Sequence, residues 1–504
     1  MKPLPANAQK VLIAVLAIFA LWDLYTSFDF YRHSELMGDF TTITLPHAWY
    51  TPVLEDPLGL NVMMTGEGHA ATNRFWAHYI TYAYFNQFPF LLQNLGISPI
   101  DSIYLACGWL KLLTQLGIIL LFSKWILGNT ALFSKYTIAL VAFLCPFFLT
   151  ADTHYRAFDL TSSMKIIDPS IAYTIFYASS LLLLLLYLHP FLQRAWGLKT
   201  GGFSIPQHLL LFLLSFVISF NGPTSSPVIL LICPLILLSL WYKNFKELST
   251  TPFAEPVVAA IKMIPKELLF HFVWVGVLNL YSFYLGTFNL ENPTTQPLLL
   301  ERYGLLWQGF YHHYIYNNYH IAPWAVLFIW TLINTKIIVG LAQPIKQKRY
   351  INTFKVLLLF SIGYILLLPL GGYRAYRPFI IRYDVAMPVN LGLLFLFAYS
   401  CTILVKQLQG TPQKIYTSLL IGLVVFLSIV DRTPNSASNV CEYEALQQLA
   451  KAEETLVELP PCKILSWSLY TDPTGADSET VCKTLYLWNI IDTEEKRYYV
   501  VEPE

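Results

Sequence analysis

The chain has 504 residues, of which 55% are hydrophobic, 16% aromatic and only 12% charged, and its formal net charge is +1. Soluble domains carry about 25% charged residues, so the composition excludes an ordinary water-soluble globule, and the near-neutral charge gives no electrostatic basis for binding nucleic acid. The seven cysteines show no CxxC or CxxxH spacing, which excludes the common zinc and dithiol motifs.

Crossing a ~30 Å hydrocarbon core as helix takes about 20 apolar residues, and the apolar runs are far too long for barrel strands. The sequence therefore predicts an all-α polytopic membrane protein. About eleven spans fall near 11–27, 104–122, 131–150, 170–188, 207–220, 225–242, 267–286, 321–340, 354–370, 385–405 and 415–430. The first run follows Lys2 and Lys10, lacks a small-x-small cleavage site and holds Trp22 and Asp23, so it reads as an uncleaved span rather than a signal peptide. Asn221, Gly222, Pro223 and Pro227 separate the fifth and sixth runs, which read as a tight hairpin. One merged helix would be too long for a bilayer and would reverse the side of everything downstream.

Lys and Arg set the orientation. One set of alternate connections holds seventeen, among them Lys2, Lys10, Lys346, Lys348, Arg349 and Lys355. The other holds eight: Arg32, Arg74, Arg156, Lys165, Arg302, Arg374, Arg377 and Arg382. The positive-inside rule places the first set and the N-terminus in the cytoplasm, and the C-terminal tail outside. The chain then divides into a membrane domain, 1–430, with a large first outer loop, 28–103, and an extracytoplasmic tail, 431–504. Within the loop, the aromatic stretch Phe75–Leu92 predicts helices lying along the outer surface.

The tail is richest in charge. Ala445–Leu456 favours helix, whereas Ile464–Tyr470, Leu485–Ile491 and Tyr498–Val501 have strand-like content, giving a small α+β appendage or a loosely ordered tail. Cys107, Cys145, Cys233 and Cys401 lie in apolar runs and read as core residues. In an oxidising compartment two of Cys441, Cys462 and Cys482 would pair, and the sequence leaves the choice open. No period of 20–50 residues marks a repeat array.

Polar groups near a membrane are costly and usually functional. Three outer clusters qualify. The first is Asp23, Asp29, Arg32, His33, Glu35 and Asp39, where a carboxylate at the mouth of a helix bundle can serve as general base or metal ligand; the bland reading is a solvated loop. The second is Asp152, His154, Arg156, Asp159, Lys165 and Asp168, in which Asp168 before Pro169 also suits a helix N-cap. The third, Tyr373–Asp384, holds Arg374, Arg377, Arg382 and Tyr383 on the side that the charge rule depletes. That departure points to an anionic ligand, since the guanidinium fork matches phosphate; the bland reading is headgroup anchoring. A weaker group, His312, His313 and His320, spans two helical turns and leaves room for a metal.

Taken in order, these positions resemble the GT-C superfamily of membrane glycosyltransferases, in the branch of the lipid A aminoarabinose transferase and the protein O-mannosyltransferases. The likeness covers roughly residues 11–405 as a series of local matches. They are Asp29-Phe30-Tyr31 and Met37-Gly38-Asp39-Phe40 after the first span, then Asn73–Tyr79 with Tyr82–Asn86. Ile167-Asp168-Pro169-Ser170 opens a later span, Phe220-Asn221-Gly222-Pro223 makes a turn before Pro234, and Arg382-Tyr383-Asp384 with Pro388 opens a late one. The chain departs from the family at two places: Phe30 follows Asp29 where the family has a second acid, and Asn221 stands where the family has a turn lysine.

The resemblance implies an inverting transfer of a sugar from a polyprenyl-phosphate donor to a lipid, glycan or protein acceptor outside the membrane. It implies that Asp29, or next Asp39, is the base and that Asp168 orients the acceptor or assists a divalent metal. It also implies that Arg374, Arg377 and Arg382, with Tyr383, His154 and Arg156, bind substrate. No other cofactor is implied. The absence of a usable Asn-x-Ser/Thr acceptor in the outer segments leans towards a bacterial inner membrane. Rival readings are a transporter or flippase of a lipid-linked or anionic substrate, a glycan polymerase or ligase, and a structural membrane subunit. The lack of an internal repeat and the outer placement of the polar residues favour the enzyme over a transporter.

Overall fold

The computed structural model describes residues 5–47, 49–128, 131, 134–148, 164, 166–196, 198–199, 201–248, 254–292, 297–317, 320–321, 323–341, 344–371, 377, 379–430 and 436–501. Eight helices in it are long and apolar enough to cross a membrane: Asn7–Arg32, Pro99–Leu127, Ile171–Ala195, Ser225–Leu248, Lys266–Phe288, Gln347–Leu370, Met387–Gln407 and Gly410–Ile429. Three shorter apolar helices, Lys135–Phe147, Ile205–Ser219 and Trp324–Gly340, fall on the remaining expected runs. The protein is thus an all-α polytopic chain, and its helices follow the hydropathy pattern read from sequence.

Local chemistry sets the ends of these helices. Ser98 caps the Pro99–Leu127 helix by accepting the Asp101 amide, with Pro99 at the first helical position where its missing N–H costs nothing. Gly128, at φ 76°, ends the same helix. The helix packs along the first helix and against Ile171–Ala195, while Met387–Gln407 packs on Trp324–Gly340. Their shared interior is aromatic, as where Trp125, Trp196 and Phe395 stack beneath the Arg349 guanidinium. Outward-facing Leu, Ile, Val and Phe stay exposed along Ser225–Leu248, Lys266–Leu285 and Gln347–Leu370, as lipid contact requires. Asp23, buried inside the first helix, accepts the Ser428 hydroxyl at 2.9 Å. That acid belongs to the helix bundle rather than to the outer cluster in which sequence grouped it. Cys107, Cys145, Cys233 and Cys401 are buried free thiols.

The first loop is mostly helical, with short helices Phe40–Thr44, Thr51–Glu55, Leu60–Thr65, Phe75–Phe85 and Phe88–Asn94. The tail begins with helix Ser436–Lys451, continues to a strand, Leu456–Leu459, and ends with helix Glu479–Leu487 and a second strand, Arg497–Val500. The two strands pair in parallel, Leu456 opposite Arg497. Two of the sequence expectations for the tail are corrected here. Ile464–Tyr470 is loop, and the front of Leu485–Ile491 closes the second helix. Their apolar content serves burial instead: Ile464, Leu465, Leu485 and Trp488 are all within 1% of full burial. Cys441 and Cys462 form a disulfide, leaving Cys482 a buried free thiol.

The tail docks on the first loop. Trp488 donates its indole N–H to the Phe85 carbonyl at 3.0 Å and packs on Phe40, and Tyr443 donates to Asp101 at 2.9 Å. Glu442 lies at the centre of the contact, 1% exposed, accepting the Leu36 amide at 2.9 Å, the Leu465 amide at 3.0 Å and the Tyr104 hydroxyl at 3.1 Å. Burial raises its carboxyl from 4.5 to about 7, against the opposing pull of those three donors. An acid with a raised folded value binds its proton more tightly when folded. Its contribution is therefore complete below about pH 4.5 and is lost as pH climbs through about 7. The shift corresponds to ~3 kcal/mol. Docking, followed by hydrogen exchange at the Leu36 and Leu465 amides, is expected to weaken across that window in the native protein, and Glu442→Gln is expected to remove the dependence. An unchanged pH profile in the variant would contradict the assignment.

Candidate functional site

Asp39 is held in place by its neighbours in sequence. Phe40, fully buried, inserts between Phe85 and Trp488 with ring centroids 4.4 and 5.4 Å away. On the other side, Gly38 adopts φ +94°, and a Cβ there would lie 2.7 Å from the Trp467 ring. Glycine supplies both the left-handed backbone and the room. With both flanks fixed, the Asp39 carboxylate stays exposed at the N-terminus of Phe40–Thr44.

Other segments converge on it. The Tyr50 hydroxyl, which donates to Glu291 at 3.0 Å, is kept protonated by its burial and by the negative charges of Asp39 and Glu291. Arg74 approaches Glu291 at 3.6 Å. His78 is packed between Tyr50 and Phe176 at 5.1 and 5.3 Å, and burial lowers its imidazole to about 4, so the ring beside Arg74 is uncharged at neutral pH. The loop that carries Arg74 and His78 is fastened to the far end of Lys266–Leu285. Ala71 donates to Asn289, Thr72 to the Leu285 carbonyl and Asn73 to the Ser282 carbonyl, at 2.7–3.0 Å.

Asp168 closes a turn. One carboxylate oxygen accepts the Ser170 amide at 2.8 Å, and its carbonyl accepts the Thr174 hydroxyl at 3.0 Å, so it braces the start of the helix at Ile171. Lys111, 1% exposed inside an apolar helix, donates to the Pro169 carbonyl and lies within electrostatic reach of Asp168. The Ser170 hydroxyl reaches the Met37 carbonyl at 3.4 Å, which brings this turn beside the Gly38–Asp39 corner.

The arginine segment supplies the positive side. Ile381 is buried beneath it, and the Tyr364 hydroxyl donates to the Val385 carbonyl at 2.9 Å. These anchors leave Arg382 paired with Asp384 at 2.7 Å, both side chains under 20% exposed. Tyr173 is the meeting point: its hydroxyl lies within electrostatic reach of Arg377, Arg382, Asp384 and Asp39 together. Behind it, Tyr177 feels Arg382, Arg377 and Arg74. Tyr383 packs its ring 6.0 Å from Tyr314. The Phe220–Pro223 turn borders the same region. Its Phe220 carbonyl accepts the Trp76 amide at 2.9 Å, and Gly222 lies so close to the Phe176 carbonyl and the Ser180 hydroxyl that no side chain would fit.

Tyr173 is thus within electrostatic reach of Asp39, Arg377 and Arg382, and Asp168 adjoins the Gly38–Asp39 corner through the Ser170–Met37 contact. Asp29 is differently engaged. It pairs with Arg32 at 2.7 Å and with His33 at 3.6 Å, both from its own helical turn. His154, Arg156 and Arg374 lie outside the described residues, as do Asp152, Asp159 and Lys165. Among the described residues, no group of three or more His, Cys, Asp or Glu is placed to hold a metal ion. Sequence reasoning missed Tyr50, Glu291, Lys111 and Tyr173 as members of the cluster, and grouped Asp384 with the arginines without foreseeing its pairing with Arg382. Lys111 alone carried a signal, a lone cation inside an apolar run. A separate open hollow lined by Tyr84, Gln87, Phe88 and Leu91 bears no charged group.

Chemically the region offers an exposed carboxylate, two guanidinium groups and a tyrosine within electrostatic reach of all three, with further buried tyrosine and histidine nearby. Such a place suits a base working on one atom while cations stabilise negative charge developing on another. Neither any protein-family model nor any curated protein sequence matches the chain.

Proposed function

We propose that the protein is an inverting glycosyltransferase of the GT-C type, which moves a sugar from a polyprenyl-phosphate donor to an acceptor on the outer side of a bacterial inner membrane. The observation that carries the reading is the approach of the Asp168 turn to the Gly38–Asp39 corner through the Ser170–Met37 contact, with Tyr173 of the same turn within electrostatic reach of Arg377 and Arg382. In this mechanism Asp39 takes the proton of the acceptor hydroxyl, and the freed oxygen attacks the anomeric carbon. The bond from that carbon to the phosphate oxygen breaks on the opposite face, which inverts configuration. The departing polyprenyl phosphate carries the negative charge onto Arg382 and Arg377, with Arg374 joining them. Asp168 positions the acceptor and Tyr383 binds substrate, a role that the sequence resemblance also implies for His154 and Arg156.

The membrane path supports the same reading. We count eleven crossings, the eight long helices and the three shorter ones. Two segments that touch on one face of a membrane must be separated by an even number of crossings. The Ser170–Met37 contact fits a crossing by Lys135–Phe147, and the Trp76–Phe220 contact fits a crossing by Ile205–Ser219. The electrostatic influence of Arg382 on Tyr173 fits a crossing by Trp324–Gly340. Docking of the tail on the first loop then puts the tail on the same face as the cluster. The cation bias places that face outside, and the Cys441–Cys462 disulfide suits an oxidising compartment.

The test is transfer of radiolabelled sugar from a panel of polyprenyl-phosphate sugars by the purified protein in lipid vesicles. Turnover of at least one donor is expected. If no donor is bound or turned over, the glycosyltransferase reading fails and transport of a lipid-linked substrate takes its place.

A further inference from the structure

The tail contributes an aromatic face to the cluster that the proposed reaction does not use. Trp467 sits in a loop whose path is fixed on both sides. Before it, Ile464 and Leu465 are buried, the Leu465 amide is bonded to Glu442, and the Ser466 hydroxyl reaches across to the residues after it, accepting the Ser468 amide and donating to the Tyr470 hydroxyl at 3.0 Å. The loop lays the indole over Gly38, next to Asp39, and 5.8 Å from the Tyr173 ring at a 40° tilt. Tyr173 is in turn within electrostatic reach of Arg377, Arg382 and Asp39. Trp467 remains 43% exposed, whereas Trp488 of the same tail is fully buried.

We infer that Trp467 is the platform on which the sugar ring of the donor stacks, and that the tail thereby forms one wall of the donor site. The inference rests on the glycosyltransferase reading and deepens it. A donor phosphate held by Arg377 and Arg382 has its sugar bonded directly to it, so the ring must lie within one ring's width of the guanidinium groups, on the side of the base. Trp467 lies over Gly38 beside Asp39, the base of the proposed reaction, and next to Tyr173, so its exposed face is on that side. The flat face of an indole carries partial negative charge and meets the C–H bonds of one side of a pyranose or furanose, while hydroxyls at the ring edge stay in water. Such stacking is tolerant of hydroxyl configuration, as base stacking on aromatic side chains is tolerant of base identity. The platform therefore contributes affinity for sugar as a class, and the polar groups around it choose among sugars.

The experiment measures equilibrium binding to the full-length protein in lipid nanodiscs. The probes are farnesyl phosphate and farnesyl phosphate bearing a hexose, an N-acetylhexosamine or a pentose. The wild type is expected to bind at least one sugar-bearing form about ten-fold more tightly than farnesyl phosphate itself. Trp467→Ala is expected to abolish that difference while leaving the Kd for farnesyl phosphate unchanged, and Trp467→Phe to keep most of it. Should Trp467→Ala not fold, Trp467→Leu, which keeps the bulk and loses the aromatic face, answers the same question. A preserved sugar preference in the Ala or Leu variant overturns the platform and leaves the glycosyltransferase reading intact. Wild-type binding of farnesyl phosphate with no gain from any sugar also overturns it. Failure of the wild type to bind any of the probes overturns both.

Discussion

Asp39→Asn is expected to lower sugar transfer by on the order of 10³-fold with the Km for the donor little changed, since general-base groups contribute about 10²–10⁴ to the chemical step. Asn keeps the volume and the hydrogen-bonding edge of the side chain but cannot accept the acceptor's proton. Phe40 and Gly38 hold the position from both sides, so the substitution leaves the corner in place. The matching expectation for Asp29→Asn is small. The Asp29 carboxylate is occupied by Arg32 and His33 of its own helical turn, and its loss breaks a half-exposed ion pair of the kind worth about 0–1 kcal/mol. Side-by-side initial rates of the two variants at equal expression check the assignment. A full loss in Asp29→Asn with activity kept in Asp39→Asn would transfer the role to the earlier residue.

Arg382→Ala is expected to cost on the order of 10²–10³-fold in transfer, the scale seen when one preorganised donor to a developing oxyanion is removed. The substitution also strands Asp384, which is under 20% exposed and paired with Arg382 at 2.7 Å. An unpaired buried carboxylate would destabilise the turn and pull apparent activity down for the wrong reason. The Arg382→Ala/Asp384→Asn double variant separates the two effects: it relieves the stranded charge and is expected to remain as inactive as the single variant. Arg382→Lys keeps the charge and loses the planar fork, so it is expected to recover part of the rate only. Recovery of full transfer in the double variant would show that Arg382 acts on Asp384 rather than on the leaving phosphate.

The spans were legible because a bilayer imposes one rule on every helix, a long apolar run, and that rule is local in sequence. The hairpin at Asn221–Pro223 was legible for the same reason, since proline and glycine act within a few residues of themselves; the N-cap expected at Asp168 falls instead on Ser170, whose amide Asp168 accepts in the turn before the helix. The arginine segment showed itself by violating the charge rule. What did not show was assembly. Tyr50 meets Glu291 across 241 residues of sequence and Glu442 meets Leu36 across 406, and neither acid has a local pattern that announces its partner. The preference for Asp29 over Asp39 as base came from the family resemblance; only the fold shows that the Asp29 carboxylate is tied to Arg32 and His33 of its own helical turn. In the tail, Ile464, Leu465 and Leu485 have strand-like content because they are core residues. β-propensity and burial draw on the same residue types, so composition alone did not separate them.

The central claim is a one-step displacement at an anomeric carbon with a polyprenyl monophosphate as leaving group. It is tested most directly by the structures of both products of a completed reaction, read by nuclear magnetic resonance. The account predicts a glycosylated acceptor whose anomeric configuration is opposite to that of the donor, formed in equal amount with free polyprenyl monophosphate. A retained configuration, or the donor lipid recovered intact with its sugar on the other side of the membrane, would contradict it.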